Sequence, residues 1–552
     1  MVSTPSLPSA AHEVADSVFL TDAEAERFLQ KFPLVQILET LQRGTLTDQA
    51  TEYVCAALKK VFSTSYGVEQ LPAATPYALE ALAAPSHALR RLGCQQLGAA
   101  LPVSLLDRKV LLAPELKLRR MLWVQAVSAE QQQRIAGALV DALADKDTGV
   151  SCDAAAALQS YGSNDQGFQD LISPHGVGQQ LSAVLASSDP VVRMRAIALV
   201  IGLGGQSEVA VKALQQSGLL QPLVKELTNE QDPLTCLAAL SLLKEQVEQA
   251  QDSTLKSLLA HFFLPHLEQL LTQADSIVKP TAMQVAATLS AAVVNAHQDH
   301  SQGDSNQQIS SANAILASAK QVLDVNSKED FSIGEEQAAL DALSELGLQP
   351  QGAESVLLHP SRVVVDIASK GLGRAPSPDI TLAAVHALAT IAGAERSQAV
   401  LSASAEDSLK AAVYDGAYSG SSKAQPALVL LGFLRQPFTD LRIATYRLTT
   451  ALALRPWGAA EVCLHQDLLL HLCNPKSETS RQGCEFRYAC LQALAATTRS
   501  VLSGKDVSRD VTAREVLTAS APAIQTAITQ GVYGSGQGRQ VIMEHQVATM
   551  QS

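Results

Sequence analysis

The densest set of potential metal ligands is CLHQDLLLHLC, which runs from Cys463 to Cys473 and holds two cysteines and two histidines. A zinc site would use such thiolate and imidazole groups. If the segment is helical, however, Cys463 and His465 are two residues apart and point to nearly opposite sides, so they cannot bind one ion. Zinc ligand pairs usually flank a turn, and a second pair follows. We therefore expect packed cysteines and half-exposed histidines, with no bound metal.

Histidines and glycines elsewhere suggest two other kinds of site. His297 and His300 lie in a polar stretch, where histidines are mostly solvated. The glycines at 202–205 and 531–538 follow helical runs, whereas phosphate-binding glycine loops follow a strand and precede a helix. Glycines at these places indicate helix ends. No G-x-S-x-G, H-E-x-x-H or P-loop string occurs. We therefore expect that the protein is not an enzyme and binds no cofactor. Only a site assembled from residues far apart in the sequence would contradict this expectation.

Length and charge narrow the classes of protein further. A chain of 552 residues is too long for one compact core, so several domains or a repeat array are expected. The net charge of −13 repels phosphate backbones and argues against nucleic acid as a partner. No long apolar window or secretory signal is visible, so no membrane association is expected. Most of the eight cysteines fall in helix-like runs, which is typical of a reducing compartment and predicts a cytoplasmic or nuclear protein.

A repeated spacing organises the chain. Apolar residues recur every three or four positions and alternating strand patterns are absent, which predicts an all-α fold. The aspartates 147, 189, 232 and 275 are separated by 42, 43 and 43 residues, and alanine follows each of them at the seventh position. Asp189 and Pro190 are suited to starting a helix, and Arg193 is expected to join a polar ladder across repeats. A period of about 42 with two helices per unit predicts a HEAT/armadillo-like α-solenoid of stacked helix pairs.

Breaks in this spacing suggest the domain boundaries. The stretch from Val293 to Ala314 is rich in Gln, Ser, Asn and Asp, and reads as a solvated loop inserted among the repeats. The ends of the chain read as tails. We therefore predict a flexible N-terminal tail at 1–20 and N-terminal helical repeats at 21–292. A polar loop at 293–314 separates these from C-terminal helical repeats at 315–530, and a C-terminal tail follows at 531–552.

The segment QPFTDLRIATYRLTTALALRPWG, from Gln436 to Gly458, concentrates aromatic residues in a chain that is only 4% aromatic. We expect Thr439 or Asp440 to cap a helix whose buried stripe excludes Arg442 and Tyr446. One interpretation is that the aromatic residues close the two ends of the helix and lock adjacent repeats. The other is that the segment lines a partner surface, since Tyr, Trp and Arg are the favoured anchors of interfaces. The candidate residues are Arg435, Phe438, Arg442, Tyr446 and Trp457.

Two stretches of the C-terminal half, L431GFLRQPFTDLRIATYRLTTALALRPWG458 and S477ETSRQGCEFRYACLQALAAT497, carry a specific resemblance. Leu-Arg-Gln-Pro-Phe, Asp-Leu-Arg, Pro456-Trp457 and Glu485-Phe486-Arg487-Tyr488 resemble the 26S proteasome non-ATPase regulatory subunit 5 family. Arg487 and Tyr488 therefore join the candidate partner-binding residues. The family tends to end its last helix in a Gly-Pro-Tyr-Tyr-like stretch, whereas this chain reads Gly531-Val532-Tyr533.

The resemblance implies a non-catalytic assembly chaperone of the proteasome regulatory-particle base. Such a protein binds the C-terminal domain of an ATPase subunit and blocks its premature docking on the core particle. A monomer is expected when the chain is free. The alternative is an armadillo-type cargo or scaffold adaptor, for example in nuclear transport. Peptide-reading armadillo grooves usually carry a repeated Trp/Asn ladder, and Trp123 and Trp457 are the only tryptophans available to form one.

Overall fold

The computed structural model describes residues 6–102, 127–229, 231–249, 253–273, 277–296, 305–324, 332–373, 375, 377–396, 399–420, 425–503 and 511–534. Within these ranges the regular secondary structure is entirely helical, so the predicted all-α fold is confirmed. The chain divides into two compact units, residues 1–229 and 230–552. This division falls well before the polar stretch 293–314 that the sequence suggested as the break.

The first unit contains thirteen described helices. We number them α1 to α13 in chain order: Leu7–Asp16, Asp22–Lys31, Leu34–Gln42, Asp48–Val61, Ser65–Ala81, His87–Ala100, Ala129–Ala142, Thr148–Tyr161, Asp165–Ile172, Val177–Leu185, Pro190–Gly204, Glu208–Gln216 and Gln221–Leu227. The repeat aspartates start helices as expected, because the Asp147 side chain accepts from the Val150 amide at 2.9 Å and Asp189 accepts from the Val191 amide at 2.8 Å.

Two arginines in this unit connect a helix start to a carboxylate elsewhere in the fold. Arg193 Nε donates to Glu226 Oε1 at 2.7 Å, and its Nη1 donates to the Ser187 carbonyl at 2.9 Å. Arg90 repeats the arrangement, with Nε 2.7 Å from Asp145 Oδ2. Instead of a polar ladder across repeats, Arg193 forms a local ion pair between the start of its own helix and a carboxylate later in the chain.

The second unit contains fifteen described α-helices, α14 to α28. They are Pro233–Gln249, Ser253–Gln273, Lys279–Ala296, Ser305–Leu323, Ile333–Gly347, Pro350–Leu358, Val363–Ala368, Pro378–Ile391, Ala403–Gly420, Pro426–Leu434, Thr439–Ala453, Pro456–Leu464, Gln466–Cys473, Arg481–Leu502 and Val511–Gln530. A π-helical turn, Ser369–Gly373, continues α20, and a 3₁₀ turn, Pro475–Ser477, precedes α27.

Two layers of helices build the second unit. Helices α14, α16, α18, α21, α24 and α27 pack side by side in that order, and the intervening helices cover one side of them. The repeated alanines lie where helices approach closely, since Ala239 and Ala282 are fully buried. This stacking of helix pairs is the HEAT/armadillo-like solenoid that the period predicted.

Two of the predicted boundaries need correction. The expected N-terminal tail contains α1, whose Ala10 and Ala11 are buried, and Lys60 Nζ donates to carbonyls at its C-terminal end. The predicted loop 293–314 is helical on both sides, because α16 extends to Ala296 and α17 begins at Ser305. Gln, Ser and Ala are tolerated in helices, so the polar sequence there does not stop one. Residues 297–304 lie outside the described ranges, and with them His297 and His300, which the sequence analysis expected to be solvated.

Candidate functional site

The aromatic segment forms the end of α23, the whole of α24 and the start of α25. Phe438 is the residue before α24, and its backbone is extended. The cap expected from Thr439 or Asp440 does not form, because both residues lie inside the first turn. Thr439 Oγ1 instead accepts from Arg442 Nη2 at 3.4 Å, so the hydroxyl is engaged by the arginine that follows it.

A buried polar network lies beside this segment. Arg442 Nε donates to Glu478 Oε1 at 2.7 Å, and the Glu478 side chain is 0% exposed. Tyr446 Oη donates to the same oxygen at 3.3 Å and lies 3.3 Å from His471 Nε2. Tyr446 is fully buried, which corrects the expectation that it lies off the buried stripe. Its hydroxyl reaches His471 on the neighbouring helix α26 and Glu478 just after the 3₁₀ turn, and a helix-stripe argument cannot predict these polar partners.

Arg487 and Tyr488 fasten the end of the described chain. Arg487 is buried; its Nη1 donates to the Leu472 carbonyl at 2.6 Å and its Nη2 to the Val532 carbonyl at 2.7 Å. Tyr488 Oη donates to the Ile528 carbonyl at 3.3 Å. Residues 531–534, predicted to be the start of a tail, are therefore held against the fold, and Gly531-Val532-Tyr533 docks without the proline and second tyrosine of the family pattern.

The candidate partner-binding residues fall into three groups in the structure. Arg435 and Phe438 are exposed, and the Phe438 side chain is 63% exposed. Trp457 is half-buried, as is Tyr488. The third group is buried or nearly buried and contacts other parts of the chain. It consists of Tyr446, Arg442 and Arg487. Any influence of these internal side chains on binding has to pass through the surface that they support.

Exposed aliphatic side chains extend the accessible surface of this part of the unit. Leu428 lies on α23, Leu464 on α25 and Leu470 on α26, and each of the three is about half exposed or more. These helices pack against one another around a shared core, so Phe438 is one of several apolar groups that this end of the unit presents. Contiguous exposed apolar groups are typical of protein-binding surfaces.

The buried cysteines in this region are poor nucleophiles, because their thiols stay protonated at neutral pH. Burial raises the pKa of the Cys490 thiol to about 12, and that of Cys463 to about 11, so both are protonated at neutral pH. Cys463 and His465 diverge as expected, since Cys463 is in the core and His465 Nε2 lies 3.7 Å from Glu461 Oε1. Across the described residues, no three His, Cys, Asp or Glu side chains are grouped so as to hold a metal ion. Among the described helices, none combines the length and hydropathy needed to cross a membrane.

The sequence analysis did not single out Glu478, although a signal was present. Glu226 follows Arg193 by 33 positions and Glu478 follows Arg442 by 36, and both pairs use arginine Nε at 2.7 Å. A search for carboxylates 33 to 36 positions after each repeat arginine would have found Glu478. Lys410 and Tyr414, which contact Trp457, carry no comparable pattern.

His471 should make the stability of this unit depend on pH. Burial is the main cause that lowers its pKa, Glu478 opposes the shift, and the nearby guanidinium groups of Arg435, Arg442 and Arg487 reinforce it. A depressed pKa means that the unfolded chain takes up the proton first, so stability is present above the unfolded pKa of about 6.5 and is lost as pH falls below it. The loss for one proton is at most about 1.4 kcal/mol per pH unit.

We therefore expect His471→Gln to flatten the decline in stability between about pH 7.5 and about pH 5.5. Denaturant titrations at several pH values, followed by circular dichroism, measure this slope. His175→Gln, at an exposed position in the first unit, is the matched control and should leave the slope as in the unmodified chain. An equal slope in the His471 variant would show that this histidine is not buried as a neutral group.

The fold and the accessible surface together define the class: an all-α HEAT/armadillo-like repeat protein. Residues 109–507 match the family model described as "Proteasome non-ATPase 26S subunit". The match spans most of the chain, and the chain belongs to this family of proteasome-associated subunits. Comparison with curated protein sequences gives no significant match.

Solved structures similar to this chain are also helical, at low sequence identity. Uso1-2 is 11% identical with a TM-score of 0.49, and the match covers 97% of this chain and 91% of that one. Kap121p is 14% identical with a TM-score of 0.46, covering 95% of this chain and 54% of that one. An engineered protein is 16% identical with a TM-score of 0.42, covering 82% and 98%. These similarities say nothing about function.

Proposed function

We propose that this protein is a non-catalytic assembly chaperone of the regulatory-particle base of the 26S proteasome, of the subunit 5 type. The observation that carries the proposal is the family match over residues 109–507, within which the stretches 431–458 and 477–497 resemble the subunit 5 family. Its partner would be the C-terminal domain of one base ATPase, and its place of action the cytoplasm, with the nucleus as a second compartment. The free chain would be a monomer.

The described surface supports a binding role at the C-terminal end of the second unit. Phe438 and Arg435 are exposed beside the buried pair Arg442 and Glu478, which fixes the start of α24. Rigid support of this kind lowers the entropy that an exposed side chain loses when it binds. A repeat protein suits the task because an extended surface can make many modest contacts without a deep pocket.

The mechanism that we propose is steric. A repeat protein that covers the C-terminal domain of an ATPase prevents the tail of that ATPase from seating on the core particle. Release of the chaperone then permits docking. No bond is made or broken, so the proposed role needs neither a catalytic group nor a cofactor.

Affinity purification of the tagged full-length chain from cell extract at near-physiological salt tests this function. We expect ATPase subunits of the base to be recovered, together with few core-particle subunits, because the complex precedes the finished particle. Recovery of transport cargo without any ATPase would instead support the adaptor function and contradict the proposal.

A binding assay identifies the partner directly. The C-terminal domains of the base ATPases, purified one at a time, are titrated against the full-length chain by calorimetry. We expect one of them to bind with submicromolar affinity, which corresponds to a binding free energy stronger than about −8 kcal/mol. Uniformly weak binding of all of them would overturn the assigned partner.

A further inference from the structure

Helices α22 and α25 bring four side chains together outside the network described above. Tyr414 and Trp457 lie with ring centroids 6.2 Å apart and a tilt of 45°. Tyr414 Oη donates to Glu461 Oε2 at 2.7 Å. Lys410 Nζ lies 6.0 Å from the centroid of the Trp457 ring. We call Lys410, Tyr414, Trp457 and Glu461 the aromatic face.

The aromatic face already attracts a cation. The π-electrons of tryptophan favour positive charge over the ring within about 6 Å, and Lys410 occupies that position at the outer limit. Lys410 is itself exposed, so its ammonium group is also hydrated by solvent. A contact of this kind is weak and readily displaced.

Glu461 lacks a hydrogen-bond donor for one of its carboxylate oxygens. Oε2 accepts from Tyr414, whereas Oε1 is buried and has no hydrogen-bond partner among the described residues. His465 Nε2 is 3.7 Å from Oε1, which is too far for a hydrogen bond. Trp457 Nε1 is also buried without a partner in the described part of the chain. A buried acceptor without a donor is costly, so a ligand that supplies the donor gains that free energy.

We propose that the aromatic face binds an arginine side chain of a protein partner. The guanidinium group would displace Lys410 and stack on the Trp457 ring. Because Glu461 Oε1 is buried, a rotation of the Glu461 side chain would then bring this oxygen within reach of the guanidinium donors. Arginine fits better than lysine because its planar, weakly hydrated group stacks on aromatic rings and carries several donors in a fixed arrangement. The net charge of −13 favours the approach of a cationic partner.

The neighbouring surface of α22 is suited to an extended segment around such an arginine. Tyr418 follows Tyr414 by one helical turn and is exposed, and Asp407 is exposed on the same helix. Asp415 is also exposed but already pairs with Arg362 at 3.6 Å. Exposed tyrosine and carboxylate groups contact backbone amides and further basic residues of a bound peptide. The proposed function enters only in naming the partner, which would be the bound ATPase subunit.

Tryptophan fluorescence tests the site on the full-length chain. In a Trp123→Phe variant Trp457 is the only tryptophan, so any change in emission reports on the aromatic face. The probe is an acetylated and amidated Gly-Arg-Gly peptide, and the control replaces arginine by citrulline, which has the same shape without the charge. We expect a saturable change with the arginine peptide in the millimolar range and at least about 10-fold weaker binding of the citrulline peptide. Equal binding of the two peptides, or no saturation with either, would overturn the proposal.

Two substitutions keep the test independent of folding defects. Glu461→Gln preserves an acceptor for Tyr414 but removes the charge, and we expect about 10-fold weaker binding of the arginine peptide. Lys410→Ala removes the competing cation from an exposed position, so it should tighten binding. Melting curves establish that both variants are folded. A Glu461 variant that binds as the unmodified chain does, or weaker binding by the Lys410 variant, would contradict the assigned contacts.

The arginine site and the proposed function can be disproved independently of each other. The peptide titration contains no proteasome component, whereas the affinity purification identifies the recovered subunits and does not measure the contact at Trp457. A positive titration with no ATPase recovered would leave the arginine site intact and remove its assignment to the proteasome base.

Discussion

Replacement of Arg455 by methionine is expected to lower the free energy of unfolding of the second unit by about 3–5 kcal/mol. Arg455 is only 1% exposed, yet it carries a full charge. Its Nε and Nη2 donate to the two carboxylate oxygens of Glu406 at 2.6 and 3.0 Å. Nη1 and Nη2 also donate to the Ala451 and Ala399 carbonyls at 2.7 and 2.8 Å. Methionine fills much of the volume but removes all of these donors. Glu406 Oε1 then keeps only the Leu401 amide at 2.8 Å, and the Ala399 carbonyl keeps only Arg396 Nη2 at 3.4 Å.

Denaturant unfolding of the full-length chain, followed by circular dichroism, measures this loss. Arg481→Met is the matched control, because Arg481 also pairs with a glutamate but is 70% exposed, and it should leave the free energy of unfolding nearly unchanged. The double substitution Arg455→Met with Glu406→Met should recover part of the loss, since it removes the unpaired charge as well. Similar values for Arg455→Met and Arg481→Met would refute the argument that burial makes the Arg455 pair important.

Helices were easier to predict from the sequence than the contacts between them. The aspartate spacing located the starts of α8 and α11, because an N-cap and a neighbouring proline act within a few residues of the helix that they start. For Arg455 the local sequence indicates only a helix end, because Pro456 follows it. Its carboxylate partner Glu406 is 49 positions earlier in the chain. Contacts over that separation depend on how helices stack, and the local pattern does not contain that information.

The candidate site shows the same difference between what a local segment predicts and what depends on contacts between repeats. Phe438 is exposed because it is the extended residue just before α24, and none of the described helices covers its ring. Tyr446 belongs to the same segment and looked equivalent in the sequence, but α26 covers it. The residue types identified an unusual segment, and only the packing of the next repeat decided which of its side chains remain accessible.

Phe438→Ala is expected to weaken binding of the ATPase C-terminal domain by at least about 2 kcal/mol, or roughly 30-fold in Kd. A phenylalanine that is 63% exposed gains most of its burial only when a partner covers it. The same exposure means that its removal takes little from the folded chain, so the melting temperature should change by less than about 2 °C. Calorimetric titration and a melting curve on the same preparation measure the two quantities.

Phe19→Ala provides the matched control for this result, because Phe19 is 86% exposed in the first unit and loses the same atoms. It should leave both binding and melting unchanged if the contact surface is specific to the segment around Phe438. Equal weakening by both substitutions would indicate nonspecific hydrophobic association. A Phe438 variant that melts earlier and still binds normally would show that the ring locks adjacent repeats, and the buried pair Arg442 and Glu478 would then stabilise a fold contact and not a binding surface.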